Sequence, residues 1–200
     1  MSDHKHPIVL AITGASGAIY GRRLLEVLLD SDIDVHLTIS ESGRLVIQHE
    51  LQISVDIKNF ELQQLLPGKS SDRVVYHHYQ DFMTPIASGS FKTSGMVVCP
   101  CSGSTLSGIA TAAGKNLIQR AADVHLKERR PLILVTRETP LSLIQIQNME
   151  RVCSAGGTIM PASPGFYHGY ESVDDLVDFV VARVLDHLDV DHQLMRRWGS

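Results

Sequence analysis

The chain has 200 residues, of which 44% are hydrophobic and 20% are charged, and this is enough for one globular domain with its own core. Its net charge of −4 gives no basic field that would favour nucleic acid or an anionic membrane surface. No apolar run approaches the roughly 20 residues that span a bilayer, and the N-terminal residues MSDHKHP lack the core of a signal peptide. We therefore expect one cytoplasmic domain over residues 1–200, with neither nucleic acid nor membrane as a partner.

The cysteines indicate a reducing compartment and give no support for a metal centre. There are three, an odd and small number. Cys99 and Cys101 are separated by a single proline, whereas the common redox and zinc motifs place two residues between their cysteines. The ten histidines are scattered and form no HxxxH or HExxH pattern. We expect structural or incidental roles for the cysteines and no metal site.

Short apolar runs of strand-forming residues alternate with helical stretches along the whole chain. The predicted strands cover 8–13, 35–39, 73–76, 96–99, 132–136 and 158–160. The predicted helices cover 18–29, 43–52, 106–113, 116–127, 141–155 and 173–188. This alternation predicts an α/β, Rossmann-like three-layer fold, with a mostly parallel sheet flanked by helices.

The segments that follow the predicted strands are rich in glycine and in small or hydroxylated residues. They read GASG at 14–17, SESG at 40–43, PCSGST at 100–105, RETP at 137–140 and PASPGFY at 161–167. Ligands of parallel α/β sheets bind outside the carboxyl ends of the strands, near the point where the strand order reverses. The sequence therefore predicts a binding site at this edge of the sheet.

The segment GASGAIYG at 14–21 raises the question of which anion, if any, its turn holds. Its first two glycines are three residues apart, unlike GxGxxG, and Ile19 stands where GxxxxGK[ST] has its second glycine. A glycine turn before a helix still admits a ligand and favours negative charge, while an ordinary tight turn is the alternative. Together with the hydroxyls at 102–105, which are also ordinary helix caps, the pattern suggests a mononucleotide with one phosphate.

The acidic sequence DDxxD at 174–178 spells a magnesium-diphosphate motif of all-helical isoprenoid enzymes. Here it stands alone, in an α/β chain, at the start of a predicted helix. Acidic residues in a first helical turn complement the helix dipole. We therefore interpret this motif as structural.

Four basic residues lie in segments that can meet near one edge of the sheet, although an exposed charged face is the usual explanation for such residues. They are Arg120, Lys127, Arg137 and Arg183. Arg120 and Lys127 are seven residues apart on one predicted helix, so they share a face. Together the four could hold more anion than a single mononucleotide phosphate supplies.

Six motifs occur in order along the chain: GASGAIYG, ASGSF at 87–91, CPCSGSTLSGI at 99–109, RAADVHLKERRPL at 120–132, RETPLS at 137–142 and PGFYH at 164–168. In these motifs the chain resembles the UbiX-type flavin prenyltransferases, of the homo-oligomeric, FMN-binding, cysteine-decarboxylase-like superfamily. The resemblance covers residues 8–198, nearly the whole chain. Several long motifs in the right order make it specific.

The resemblance implies a role for each candidate site residue. Those implied to surround reduced FMN are Gly14, Ala15, Ser16, Ser40, Ser102, Gly103, Ser104, Thr105 and Arg137. Those implied to bind dimethylallyl monophosphate or complete its pocket are Tyr167, Arg183, Lys127, Ser88, Gly89, Ser90 and Arg120. The implied catalytic residues are Ser16, Glu50, Glu138 and Lys127.

The implied reaction joins the dimethylallyl group to reduced FMN without a metal and yields prenylated FMN for a UbiD-type decarboxylase. A nitrogen of the reduced flavin attacks the allylic carbon, phosphate leaves, and a second bond closes a fourth ring. An allyl cation needs a dry, π-rich cage, to which Trp198 is a candidate contributor, and the departing phosphate needs positive charge. The resemblance further implies a homo-oligomer, a dodecamer, with sites between subunits.

Three other functions are weighed against this one. An FMN-dependent decarboxylase of peptidyl or pantothenoyl cysteine typically carries PASANT where this chain has PCSGST at 100–105. A non-catalytic flavin-binding module is disfavoured by Glu50, Lys127, Glu138 and Arg183. An NAD(P)-dependent dehydrogenase is disfavoured by the glycine spacing and by the lack of an obvious Tyr-xxx-Lys pair.

Overall fold

The computed structural model describes residues 6–167 and 169–195. A six-stranded sheet has the order β3-β2-β1-β4-β5-β6. Its strands are β1 (Ile8–Ile12), β2 (Val35–Ile39), β3 (Val74–Tyr76), β4 (Gly95–Cys101), β5 (Leu132–Thr136) and β6 (Thr158–Pro161). The helices are α1 (Ala18–Asp30), α2 (Glu41–Leu51), α3 (Leu62–Leu65), α4 (Gly103–Ala110), α5 (Leu117–Lys127), α6 (Leu143–Ser154) and α7 (Val173–His187), with a 3₁₀ turn at Pro85–Ala87.

Every pair of neighbouring strands in this sheet is parallel. Strands β1, β4 and β5 lie at its centre and are buried along their whole length. Apolar, β-branched runs suit strands that are covered on both faces. The predicted three-layer α/β fold is confirmed, and the sheet is wholly rather than mostly parallel.

The two faces of the sheet are covered by different sets of helices. Alternate residues of β1 belong to different clusters: Leu10 packs with residues of α1, α2, α3 and α7, whereas Val9 packs with residues of α4, α5 and α6. This alternation is the period of two that a strand imposes on its side chains. The result is two apolar layers separated by the sheet.

Two helices begin earlier than the sequence predicted because serine caps fix their starts. Ser40 accepts a hydrogen bond from the Gly43 N–H at 3.0 Å, so α2 begins at 41 rather than 43. Ser102 accepts one from the Thr105 N–H at 3.3 Å, so α4 begins at 103 rather than 106. A serine side chain that binds an otherwise unpaired N–H of the first turn defines the helix start.

The acidic motif at 174–178 has the structural role that the sequence suggested. Asp175 accepts hydrogen bonds from the Ser172 N–H at 2.8 Å and the Ser172 hydroxyl at 2.9 Å, in a capping box at the start of α7. Asp178 forms an ion pair with Arg23 of α1 at 2.7 Å. The motif therefore caps α7 and joins it to α1.

Cys99 and Cys101 lie inside β4 and are buried. Burial raises the pKa of the Cys101 thiol to about 12 and also raises that of Cys99, so both remain protonated near neutral pH. Cys153 is exposed, and all three cysteines are free. The two thiols of β4 are packing residues.

The strand order reverses between β1 and β4, and Thr13 ties the ends of these strands together. Its hydroxyl donates to the Pro100 carbonyl at 2.8 Å and accepts from the Ser102 N–H at 2.9 Å. Strand β4 extends to Cys101, two residues beyond its predicted end, with a shift in register between Val98 and Cys101. The loops after β1 and β4 are thus held side by side at the position where such sheets bind ligands.

Candidate functional site

The N-terminus of α1 is occupied by a carboxylate of the chain itself. Glu50 Oε2 accepts hydrogen bonds from the N–H groups of Gly17 and Ala18, both at 2.9 Å. These are first-turn donors without a partner inside the helix, at the positive end of its dipole. The sequence predicted that this turn favours a negatively charged ligand. In the structure the negative charge at the turn is that of Glu50.

Glu50 also joins two other predicted site residues. Burial opposes its ionisation, but hydrogen bonds from the Ser16 side chain and from the N–H groups of Gly17 and Ala18, together with the charge of Arg137, hold the pKa of Glu50 below 4.5. Ser16, at the turn after β1, and Arg137, after β5, thus interact with the same carboxylate. This carboxylate remains ionised near neutral pH.

The N-termini of α2 and α4 supply the other donors at this edge. Ser102 lies 3.0 Å from the Thr105 hydroxyl and 3.1 Å from the Ser104 hydroxyl, which forms a cluster of three side-chain oxygens. A Cβ on Gly14 would lie 2.3 Å from the Cβ of Ser42, so glycine is required for the turn after β1 to approach α2. Backbone N–H groups and hydroxyls of this kind suit a phosphate and a polar ring, and the donor set fits the mononucleotide that the sequence suggested.

A cavity of about 230 Å³ lies at the carboxyl ends of β5 and β6, and its lining includes Arg137 and Glu138. Glu138 forms no ion pair with its neighbour Arg137. Its Oε1 accepts a hydrogen bond from the Thr139 N–H at 3.1 Å, and its Oε2 accepts one from Gln145 Nε2 at 3.3 Å. The carboxylate of Glu138 is thus held by its own loop and by α6 rather than by Arg137.

A second cavity, of about 250 Å³, is lined by Arg183 and Phe179 of α7. Tyr167 packs edge-to-face on Phe179 with ring centroids 6.0 Å apart. Arg183 is held by Asp186 at 2.6 Å. Asp186 in turn lies 3.1 Å from His192 Nε2. Of the two residues predicted to bind the prenyl phosphate, Arg183 therefore lines this cavity, and Tyr167 packs on Phe179, which also lines it.

The two cavities meet at the end of β6. Pro161 and Ser163 line both of them. The segment after β6 thus separates Arg137 and Glu138 on one side from Arg183 on the other. Arg137 and Glu138, with the loops after β1 and β4, form what we call the carboxyl-edge group, and the cavity at Arg183 extends from it along β6 to Thr158.

The remaining predicted residues form a separate group around α5 and the loop at 88–90, here called the α5 group. Ser88 Oγ lies 2.9 Å from Ser90 Oγ, and Arg120 Nε donates to the Ala87 carbonyl at 3.1 Å. A Cβ on Gly89 would lie 2.8 Å from Lys127 Nζ, so the lysine lies directly against this loop. Lys127 also forms an ion pair with Glu128.

The α5 group lies towards the amino ends of the strands. The loop at 88–90 leads into β4 at Gly95, and Lys127 ends α5 a few residues before β5 begins at Leu132. The carboxyl-edge group lies beyond the other ends of the same strands. One copy of the chain therefore does not bring Lys127 to Glu50 and Arg137.

Sequence reasoning missed residues that hold the site in place. Arg130 donates to the carbonyls of Gly89 and Phe91, both at 2.6 Å, and so fixes the 88–90 loop. Gln145 contacts Glu138, and Asp186 contacts Arg183. The only sequence signal that could have pointed to Gln145 is the helix-cap pattern of a serine at 142 followed by a glutamine at 145. Trp198 lies outside the described residues, as does His168 of the PGFYH motif.

The described ranges, 6–167 and 169–195, contain neither a candidate metal centre nor a candidate membrane-spanning helix. None of their His, Cys, Asp and Glu side chains cluster in threes that could hold a metal ion. In the same ranges, every helix is too short or too polar to cross a membrane.

Comparison with known proteins gives matches over the full length of the chain. A flavoprotein family model matches residues 1–185. Flavin prenyltransferase UbiX of Pseudomonas aeruginosa is 48% identical over 196 residues, which are 96% of this chain and 94% of the relative. The crystal structure of AnUbiX (PadA1) in complex with FMN and dimethylallyl pyrophosphate is 38% identical, with a TM-score of 0.87 and 98% of each chain covered. A dodecameric FMN-dependent UbiX-like decarboxylase from Escherichia coli O157:H7 is 38% identical, with a TM-score of 0.85, and 97% of this chain and 100% of that one are covered.

Proposed function

The chain belongs to the UbiX family of flavin prenyltransferases, and we propose that it transfers the dimethylallyl group of dimethylallyl monophosphate to reduced FMN. The observation that carries this proposal is the 48% identity over 96% of the chain. The site geometry supports it, because the loops after β1 and β4 lie at the same edge of the sheet as Arg137, and the cavities lined by Arg137 and Arg183 meet at Pro161 and Ser163. We propose that residues 1–200 act as one flavoprotein domain and that the product, prenylated FMN, serves a UbiD-type decarboxylase.

The flavin is proposed to bind at the N-termini of α2 and α4. Reduced FMN, when bound, supplies the nucleophile for prenyl transfer. Since Glu50 already occupies the N-terminus of α1, the flavin phosphate is left to the other two helix starts and to Arg137. The residues assigned to this task are Gly14, Ala15, Ser16, Ser40, Ser102, Gly103, Ser104, Thr105 and Arg137.

The departing phosphate is proposed to be stabilised by side chains rather than by a metal ion. Arg183 supplies a fixed positive charge, Tyr167 a hydroxyl, and Lys127 a second positive charge from the α5 group. Cations placed where negative charge develops lower the barrier to bond cleavage. The ring of Phe179, which lies between Tyr167 and Arg183, adds a π-face next to the phosphate end of the pocket.

Two carboxylates are proposed to manage protons. Glu138 is held by two N–H donors, which fix the orientation of the carboxylate that we propose accepts a proton at the reacting end of the site. Ser16 is hydrogen-bonded to Glu50, whose charge is held by the N-terminus of α1. We propose that Ser16 relays a proton: its oxygen accepts one from the flavin-loop region as its own hydroxyl proton passes to Glu50, so that the serine is neutral before and after the step.

The complete site is proposed to form between copies of the chain, in a homo-oligomer that we propose to be a dodecamer, as in the Escherichia coli relative. The α5 group and the carboxyl-edge group lie at opposite ends of the sheet, so Lys127, Arg120, Ser88, Gly89 and Ser90 would come from a neighbouring copy. Leu143 and Ile144 of α6 are 69% and 70% exposed, next to the cavity at Arg137. A neighbouring copy would cover these side chains and keep water from the site.

A cytoplasmic location is proposed from the cysteines. All three are free, and two are buried where no disulfide partner is needed for the fold. Free thiols are typical of reducing compartments.

The product assay separates the candidate functions. The protein is incubated anaerobically with reduced FMN and dimethylallyl monophosphate, and the released flavin is analysed by mass spectrometry. Prenyl transfer gives FMN that carries one dimethylallyl unit, and an Arg183→Ala variant should give far less. Unmodified FMN with the wild-type protein would overturn the proposal, and tighter binding of a nicotinamide cofactor than of FMN would point to a dehydrogenase.

A further inference from the structure

Gln145, in the first turn of α6, engages the carboxylate of Glu138. Its Nε2 donates to Glu138 Oε2 at 3.3 Å, while the Thr139 N–H donates to Oε1 at 3.1 Å. Both carboxylate oxygens are thus bound by N–H donors of the same chain. A carboxylate held at both oxygens is presented in one orientation.

The helix cap determines which end of the Gln145 amide faces Glu138. Gln145 Oε1 accepts from the Ser142 backbone N–H at 2.9 Å, and Ser142 Oγ accepts from the Gln145 N–H at 3.3 Å, which together form a capping box. A backbone N–H only donates, so it must face the amide oxygen. The amide NH₂ is left for Glu138, whose Oε2 accepts the hydrogen bond.

The same amide lies against the loop after β4. A Cβ on Gly103 would be 3.3 Å from Gln145 Nε2, a tight approach that the glycine avoids. Gln145 therefore lies between Glu138 and the start of α4. It links a proposed proton acceptor to a proposed flavin-binding loop.

We propose that Gln145 is the positioning residue of Glu138: it holds the carboxylate in the orientation in which it accepts a proton beside the flavin loop. The inference rests on the proposed function, in which Glu138 acts in prenyl transfer. Proton transfer to a side chain depends on its geometry before anything else. A residue that only stabilised α6 would have no such effect on turnover.

Two variants separate the cap from the contact with Glu138. Gln145→Glu keeps the capping box, because glutamate also serves at this cap position, but it replaces the NH₂ donor with a second carboxylate. Ser142→Ala removes the side-chain cap and keeps the backbone N–H that orients Gln145. The first variant tests positioning, and the second controls for helix stability.

Gln145→Glu should lower kcat about ten-fold, with the KM for dimethylallyl monophosphate and the Kd for FMN within about two-fold of wild type. Ser142→Ala should lower the melting temperature and leave kcat unchanged. FMN absorbance of each purified variant confirms that the flavin site has folded. An unchanged kcat in Gln145→Glu would overturn the positioning role.

A double-mutant cycle decides whether Gln145 acts through Glu138. In a Glu138→Ala background, Gln145→Glu should cause no further loss of kcat, because the carboxylate it positions is absent. A loss as large as in the wild-type background would overturn the proposal. No prenylated FMN from the wild-type protein would overturn the proposed function itself, and normal wild-type turnover with an unaffected Gln145→Glu would overturn only the positioning role.

Discussion

The Gly17 N–H donates to Glu50 Oε2 at 2.9 Å, and so the glycine turn after β1 already holds a negative charge. Gly17 adopts a φ of 104°, in the left-handed region that favours glycine, at the N-cap of α1. Glycine has no side-chain acceptor that could cap the helix. The carboxylate of Glu50, from the last turn of α2, caps it instead. The turn therefore connects α1 to α2 rather than leaving an open anion site at its own helix.

Glu50→Gln should make the protein less stable at neutral pH by about 0.5–1 kcal/mol, since the amide keeps an acceptor oxygen but loses the charge at the helix N-terminus. The pKa of Glu50 is held below 4.5 in the folded protein, so this contribution is present above pH 4.5 and is lost as the pH falls through the lowered pKa. Urea unfolding of the wild-type and Glu50→Gln proteins at pH values above and below 4.5 measures this contribution to the free energy of unfolding. Glu61→Gln is the control, because Glu61 precedes α3 without capping it. A stability difference that persists undiminished in acid would contradict the assignment.

Asp186→Asn should weaken the use of the prenyl donor. Asp186 holds Arg183 at 2.6 Å, and without its charge the guanidinium is no longer fixed beside the cavity. We expect the KM for dimethylallyl monophosphate to rise about ten-fold while the Kd for FMN stays the same. The matched control is Asp178→Asn, because Asp178 lies on the same helix as Asp186 and its ion pair is with Arg23 of α1. An equal rise in KM in both variants would mean that α7 was disturbed as a whole.

Acid should destabilise the protein through His125. The ring is buried and lies 2.8 Å from the Thr93 hydroxyl and 2.7 Å from the Ala121 carbonyl. Burial lowers the pKa of His125 to about 4, against 6.5 when exposed. The contribution of neutral His125 to the free energy of unfolding is therefore complete above pH 6.5. It is lost as the pH falls towards 4, and the free energy of unfolding is lower by about 2 kcal/mol at pH 5.

His125→Gln tests this assignment, because the amide is neutral at every pH. The variant should be less stable than wild type at pH 7, and the difference between their free energies of unfolding should become smaller towards pH 5. Urea midpoints at the two pH values give the comparison. A gap of constant size would show that His125 does not account for the loss of stability in acid.

The sheet, most helices and the loops at the carboxyl edge of the sheet could be predicted from the sequence, because strands and helix caps produce local sequence patterns. Ser40 and Ser102 were recognised as polar residues after strands, although their caps start α2 and α4 earlier than predicted. The short helix α3 was missed, since four residues give no usable periodicity. The sequence did not reveal Gln145 or Asp186, because their partners are set by how α6 and α7 pack.

Nor could the sequence show that Lys127 and Glu50 lie at opposite ends of the sheet in one chain. Both belong to motifs of one family, and a motif records order along the chain rather than position in space. The direction of α5 relative to β5 settles the question, because α5 ends where β5 begins. This separation is the physical reason for proposing that the site is shared between copies.

A subunit-mixing experiment tests the shared site most directly. Lys127→Ala and Glu138→Ala chains are purified separately and also co-expressed as mixed oligomers, and prenylated FMN is measured for each preparation. If Lys127 and Glu138 reach one site from different copies, each variant alone keeps only a small residual activity, and random mixing restores both side chains in roughly a quarter of the sites. A mixture as inactive as the separate variants would contradict the account, because it would mean that both residues act from the same chain.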